Sequence, residues 1–200
     1  MSARKTFGPK TAGKTVAKKA AAKSVTKRVT KKKATKRISA KKTVLDPVTF
    51  EVLKNSYITT VDQMAEQILR TCYSFVIYNR DFSSSLNDVN GDSIAQGNQD
   101  IAVHVGTLHF TCKAVIEHFG DDMHEGDVFL VNDPYLGGTH LPDVTLLAPV
   151  FRADSTEPQI VGFVANRAHH ANIGCETPGS MPLSNTIEEE GGLIPPTLLL

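Results

Sequence analysis

The stretch DVTLLAPVFRADSTEPQIVGFVANRAHH, residues 143–170, holds two aliphatic runs, Val144–Phe151 and Gln159–Ala168, separated by the polar, proline-containing segment Arg152–Pro158. Runs of that length, broken by turn-forming residues, predict two strands joined in a hairpin. In an antiparallel pair the start of one strand lies beside the end of the next. Asp143 is therefore expected at the same sheet edge as His169 and His170.

Working upstream, Asp127–Val131 is a third strand candidate, and Leu108, Cys112, Val115, Ile116 and Phe119 repeat at helical spacing before Gly120. That pattern predicts a helix over about 107–119 with a glycine at its C-terminal end. Asn90-Gly91 sits between short apolar-containing runs in Leu86–Gln96 and predicts a hairpin with two antiparallel strands. Further upstream, Asp46-Pro47 is a helix start, and Phe50, Leu53, Tyr57, Val61, Met64, Ile68 and Cys72 follow at spacings of three and four. The expectation is one long amphipathic helix of roughly seven turns at about 3.6 residues each. The fold class read from these elements is α+β: a long N-terminal helix, a hairpin, a second helix and a mostly antiparallel sheet.

The loop Asn132-Asp133-Pro134-Tyr135-Leu136-Gly137-Gly138-Thr139-His140-Leu141-Pro142-Asp143 enters the first strand of that hairpin. It brings two carboxylates and an imidazole, and its paired glycines allow a tight backbone path. With His169 and His170 from the far end of the hairpin, Asp133, His140 and Asp143 form a set of imidazole and carboxylate groups. Such donors suit Mn, Fe or Zn. The alternative is that the two aspartates cap turns and the histidines are hydrogen-bonded residues at strand ends. His104 and His109 are weaker candidates, one near the junction with the second helix and one on it. No G-x-S-x-G turn and no Cys/His spacing points to an acyl-enzyme nucleophile.

Residues 1–43 differ in kind from the rest. Arg4 through Lys42 supply 16 of the chain's 22 basic side chains and none of its 21 acids, so a formal +1 divides into +16 in the tail and −15 in the body. Lysine, alanine and threonine with a single aromatic, Phe7, cannot offset the entropy of ordering, and the tail is expected to be disordered. Gly8-Pro9-Lys10-Thr11-Ala12-Gly13-Lys14-Thr15 matches the phosphate-loop pattern, but the flanks lack the buried strand and apolar-faced helix that such a loop requires. A lysine-rich arm can instead hold nucleic acid nonspecifically by counterion release. Three cysteines without a Cys-x-x-Cys pair suit a reducing compartment and are read as packing residues. No apolar run reaches the roughly 18 residues of a membrane span, and a soluble, cytoplasmic protein is expected.

Asn132-Asp133-Pro134-Tyr135-x-Gly-Gly-Thr-His140-x-Pro-Asp143, Asn166-Arg167-Ala168-His169-His170 and Thr177-Pro178-Gly179-Ser180-Met181-Pro182 together resemble the hydantoinase B/oxoprolinase family. Asp46-Pro47-Val48-Thr49, Arg80-Asp81-Phe82-Ser83, Val103-His104-Val105-Gly106 and Gly126-Asp127-Val128 extend the resemblance, in order, over about residues 45–197. The family includes B subunits of ATP-dependent N-methylhydantoinases, the corresponding half of 5-oxoprolinase, and the manganese-holding subunit of acetone carboxylases. The resemblance implies a divalent metal held by His140 and Asp143, one of His169 and His170, and Asp133 as a ligand or its hydrogen-bonded neighbour. It also implies a partner, an actin-like A subunit that uses ATP to phosphorylate the carbonyl oxygen of a small cyclic amide. The chain would then belong to a hetero-oligomer. Apart from the resemblance, Arg167 is a candidate clamp on phosphate by its chemistry. Acetone-carboxylase-type chemistry is the nearest variant, and a noncatalytic polyanion-binding protein is the alternative from another class. Family B subunits are much longer, and Leu198-Leu199-Leu200 is an apolar end, so residues 44–200 are expected to be the N-terminal part of the domain.

Overall fold

The structure, a computed structural model, describes residues 44–200. The expectation for the basic tail and the rejected phosphate loop fall outside the described residues.

Helix α1 spans Pro47–Thr71 and begins as the sequence predicts. The Asp46 carboxylate accepts hydrogen bonds from the amides of Val48 and Thr49, which have no partner within the helix, and Pro47 occupies the first turn. Only Val61 and Ala65 of this helix are fully buried, where it lies against strands β1 (Phe82–Asn87) and β2 (Ser93–Gln96). The expected apolar stripe is thus covered in its second half only. Phe50, Leu53 and Tyr57 stay exposed because no described element reaches the first turns.

A one-turn helix α2 (Phe75–Tyr78) leads into β1, which pairs antiparallel with β2. The connection is a three-residue loop rather than a two-residue Asn-Gly tip. Gly91 donates to the Asp88 carbonyl, and Asp88 donates to the Asp92 carbonyl. The Asp88 side chain accepts from the amides of Asn90 and Asp92, and Gly91 takes the left-handed conformation (φ 85°). An aspartate able to hold its own turn, followed by a glycine that tolerates positive φ, selects this longer form.

After a second one-turn helix, α3 (Ala102–Val105), helix α4 runs Leu108–Phe119, ending where the periodicity stops. Strand β3 is confined to Phe129–Val131 because the Asp127 side chain is used in a turn, accepting from the His124 amide. Strands β4 (Asp143–Phe151) and β5 (Ile160–His169) form the expected hairpin. A four-residue helix α5 (Ile187–Glu190) and the short strand β6 (Thr197–Leu198) follow. Among the described residues the sheet order is β2-β1-β5-β4-β3-β6, with antiparallel neighbours throughout. The α+β expectation is met.

One sheet face is covered by α4. Leu108, Cys112, Val115 and Ile116 pack there with Phe129, Val131, Leu147, Phe163 and Ala165. Full burial of a residue such as Phe163 or Leu147 contributes about 1.5–3 kcal/mol. Successive residues on this face change character along the strands. On β5, Phe163 and Ala165 give way to Arg167 and then His169; on β4, Leu147 gives way to Thr145 and Asp143, each opposite its counterpart. The apolar core therefore grades into a buried polar tier and then into the sheet edge where the ionisable residues meet. Cys112 is the packing cysteine that the sequence suggests, whereas Cys72 caps α1 and Cys175 lies in a loop. No helix among the described residues is long and apolar enough to cross a membrane.

Candidate metal centre

Each part of the loop 132–143 is fastened before it reaches the sheet edge. Asn132, buried, donates to the carbonyls of Leu141 and Gly192 and accepts from the Ile194 amide. Asp133 caps a 3-10 turn, Pro134–Leu136, by accepting from the Tyr135 amide. Gly137 then takes φ 86° against the first turn of α4, where an added Cβ would lie 2.5 Å from the Phe110 carbonyl carbon. Its carbonyl accepts from the Thr111 hydroxyl and, at 3.1 Å, from Arg167. Past the glycines, the Asp143 amide donates to the His140 carbonyl, a turn that sets both side chains on one side.

The hairpin register places Asp143 directly opposite His169. His140 Nε2 lies 2.9 Å from Asp143 Oδ1 and 3.0 Å from His169 Nδ1, and His169 Nδ1 lies 3.0 Å from the same carboxylate oxygen. Hydrogen bonds cannot satisfy all three sides of this triangle. If both rings carry a proton at these nitrogens, two N–H groups oppose each other; if only one does, a lone pair faces the carboxylate. A single cation suits all three. Two imidazoles with one carboxylate, their ligand atoms within about 3.0 Å of one another, are a donor set for a divalent transition metal. The residues present therefore fit a metal.

Burial opposes ionisation of Asp143, but hydrogen bonds from His104, His140 and Thr139 outweigh it and hold the carboxyl far below the usual range. The Asp143 hydrogen bond in turn raises His140 above its ordinary 6.5, against partial burial and with help from the charges of Asp81 and Glu190. His140 is the open member, with 38% of its side chain accessible against 12% for His169 and 3% for Asp143.

Asp133 and His170 stand outside this group: the first is occupied as a turn cap, the second donates its amide to the Pro142 carbonyl and is exposed. Partial desolvation of the ring, with the neighbouring His169, lowers His170 below 6.5 although the residue as a whole is exposed. Arg167 faces the same side of the sheet as His169 but is fully buried. Its guanidinium donates to the hydroxyls of Thr145, Thr107 and Thr111 and to the Gly137 carbonyl. Burial pulls it down to about 10, with the Asp143 charge acting in the opposite sense. His109 lies against Phe110 and is not among the clustered groups. His104, by contrast, is buried and bonded to Asp143 at 3.0 Å, and Thr139 also donates to that carboxylate. Their sequence signal was faint: a histidine near a helix start, and a threonine in a glycine-rich loop.

The fold and this arrangement define a two-histidine, one-carboxylate centre at a sheet edge. The hydantoinase B/oxoprolinase family profile matches residues 46–200, and the chain belongs to that family. It is 42% identical over 154 residues to the 5-oxoprolinase of Dictyostelium discoideum, covering 76% of this chain and 12% of that protein. Among solved structures it resembles the ATP-dependent caprolactamase of Pseudomonas jessenii, with a TM-score of 0.67 and 31% identity over 78% of this chain and 27% of that one. Acetone carboxylase shares the fold, with a TM-score of 0.60 at 24% identity over 68% of this chain and 18% of that one. The chain thus spans about an eighth of the length of the 5-oxoprolinase it matches.

Proposed function

We propose that residues 44–200 supply the metal-holding part of an ATP-dependent hydrolase that opens small cyclic amides of the 5-oxoproline or hydantoin type. The observation that carries this is the triangle of His140 Nε2, Asp143 Oδ1 and His169 Nδ1, set within a family match over residues 46–200. The relatives' names support the substrate class: one is a 5-oxoprolinase, and another an ATP-dependent caprolactamase. His140, Asp143 and His169 would hold Mn, Fe or Zn, which supplies Lewis-acid polarisation of a bound oxygen. Asp143 offers a fixed negative charge, and His140, the accessible member, faces incoming ligands. ATP would act through an actin-like A-type partner subunit, making the working enzyme a cytoplasmic hetero-oligomer.

The test is twofold. Purified chain, dialysed and then loaded, is expected to retain close to one equivalent of Mn, Fe or Zn. Combined with an A-type subunit, it is expected to support ATP-dependent opening of 5-oxoproline or a hydantoin. A chain that retains none of these metals under any loading condition overturns the reading.

The charge division favours a second activity in the same chain. With 16 basic side chains and no acid before Asp46, residues 1–43 would hold polyanions such as nucleic acid, independently of the metal centre.

A further inference from the structure

We infer that His104 is a positioning residue for this centre: a buried Ser83–His104–Asp143 relay turns the Asp143 carboxylate so that only Oδ1 faces His140 and His169. The inference rests on the metal reading for its consequence, but not for its geometry.

The relay crosses three elements. Ser83 lies on β1, His104 on the single turn α3, and Asp143 at the start of β4. All three are at most 2% exposed, so none of these contacts is shared with bulk water. The Ser83 hydroxyl oxygen accepts from the Ile101 amide at 3.2 Å, which leaves its own proton free to point at His104 Nδ1, 3.3 Å away. With Nδ1 accepting, the ring proton resides on Nε2, and Nε2–H donates to Asp143 Oδ2 at 3.0 Å. Thr139 donates to the same oxygen. Both donors thus occupy Oδ2, whereas His140 and His169 approach Oδ1.

The turn that carries His104 is itself pinned at both ends. Ser83 binds the Ile101 amide at its start, and the Gln96 side chain donates to the Val105 carbonyl at its close. The backbone that carries the histidine cannot shift without breaking these bonds. A ligand carboxylate held through its second oxygen loses rotational freedom, and partners of this kind govern metal affinity although they never touch the metal.

The experiment uses the full chain and Mn2+ alone as probe. By calorimetric titration, His104→Phe, which keeps ring bulk without a donor, is expected to weaken Mn2+ binding by about 10- to 100-fold. His104→Gln, whose amide N–H can replace Nε2–H, is expected to stay within about threefold of the parent chain. Equal losses in both variants, or none in His104→Phe, overturn the inference. Should His104→Phe fail to fold, Ser83→Ala tests the same relay, because it releases Nδ1 and is expected to weaken Mn2+ binding severalfold; unchanged binding counts against it. Independently of any metal, the ring 15N spectrum of the metal-free chain is expected to show the His104 proton on Nε2, with Nδ1 accepting from Ser83. An Nδ1–H tautomer overturns the relay. If the parent chain binds no Mn2+, the tautomer alone decides the relay, and the metal reading falls only if Fe2+ and Zn2+ also fail to bind.

Discussion

Asp143 and His169 sit directly across from each other on β4 and β5, and Oδ1 of the first is 3.0 Å from Nδ1 of the second. That pairing converts strand register into site geometry. A one-residue slip between β4 and β5 would turn one of the two side chains to the opposite face. The register is secured by the apolar residues further along the same strands, Leu147 opposite Ala165 and Pro149 opposite Phe163. Core packing and the candidate centre are consequently parts of one alignment.

The register separates the two consecutive histidines. His169→Ala is expected to weaken divalent metal binding by more than about 100-fold, beyond the 10- to 100-fold typical of partners that only touch a ligand. His170→Ala, outside the triangle, is expected to leave affinity within about threefold. Equilibrium dialysis against Mn2+ or Zn2+ distinguishes them, and the reverse pattern would mean that the strand end rearranges on loading.

The hairpin and its edge were legible because aliphatic runs and a proline-marked turn are local signals. Once the hairpin is drawn, Asp143 must meet the end of β5. The choice between His169 and His170 was hidden because it depends on register, which a run of apolar residues does not number. Nor could local pattern reveal that Asp133 would be occupied by its own 3-10 turn, since a loop aspartate suits a cap and a ligand equally. His104 was harder still: its bond to Asp143 joins residues far apart in sequence. For α1, periodicity identified the apolar stripe but could not say how much of it other elements would cover.

Gly137 offers a test of how far the loop is fixed by close approach. Gly137→Ala would place a methyl group against the Thr111 amide and 2.5 Å from the Phe110 carbonyl carbon, at φ 86°. Left-handed backbone costs roughly 1–2 kcal/mol for a non-glycine residue, and overpacking adds roughly 1–3 kcal/mol. Gly179→Ala, also at positive φ but with no neighbour in reach, is expected to incur the backbone cost alone. Urea denaturation of both variants, analysed as midpoints at constant slope, checks the difference; equal losses would mean that the loop gives way around Gly137.

Arg167 provides a complementary test in the polar tier. Its planar fork reaches three threonine hydroxyls and the Gly137 carbonyl at once, a pattern that the single ammonium of lysine cannot reproduce. Arg167→Lys is expected to cost about 2–4 kcal/mol, because charge-assisted bonds are lost while a buried charge remains. A variant as stable as the parent would show that these hydroxyls readily find other partners.

The tail makes a separable prediction. Removing residues 1–43 takes away 16 positive charges and leaves a body of net −15, so retention on duplex DNA at low salt is expected to disappear while metal content stays unchanged. For the full chain, log affinity should fall linearly with log salt, with a slope near −0.9 for each phosphate neutralised. Binding insensitive to salt, or unaffected by the deletion, would remove the polyanion reading.

The two shifted groups of the centre set opposite limits on pH. Asp143 is held well below the ordinary 3.8, so the stability it contributes is complete above that value and declines as pH falls further. His140 is raised above 6.5 chiefly by its Asp143 hydrogen bond, so its contribution is complete below 6.5 and declines as pH rises through the folded-state value. The joint contribution of these two groups to the stability of the metal-free chain is therefore expected to peak between these limits, in mildly acid solution. A metal must displace the His140 proton but meets none on Asp143, so affinity should rise with pH by up to about tenfold per unit until His140 is neutral, then level off. Calorimetry in buffers of differing ionisation enthalpy would register that proton as released at pH 6 and absent well above the folded-state value. Affinity independent of pH between 6 and 8 would place the metal away from His140.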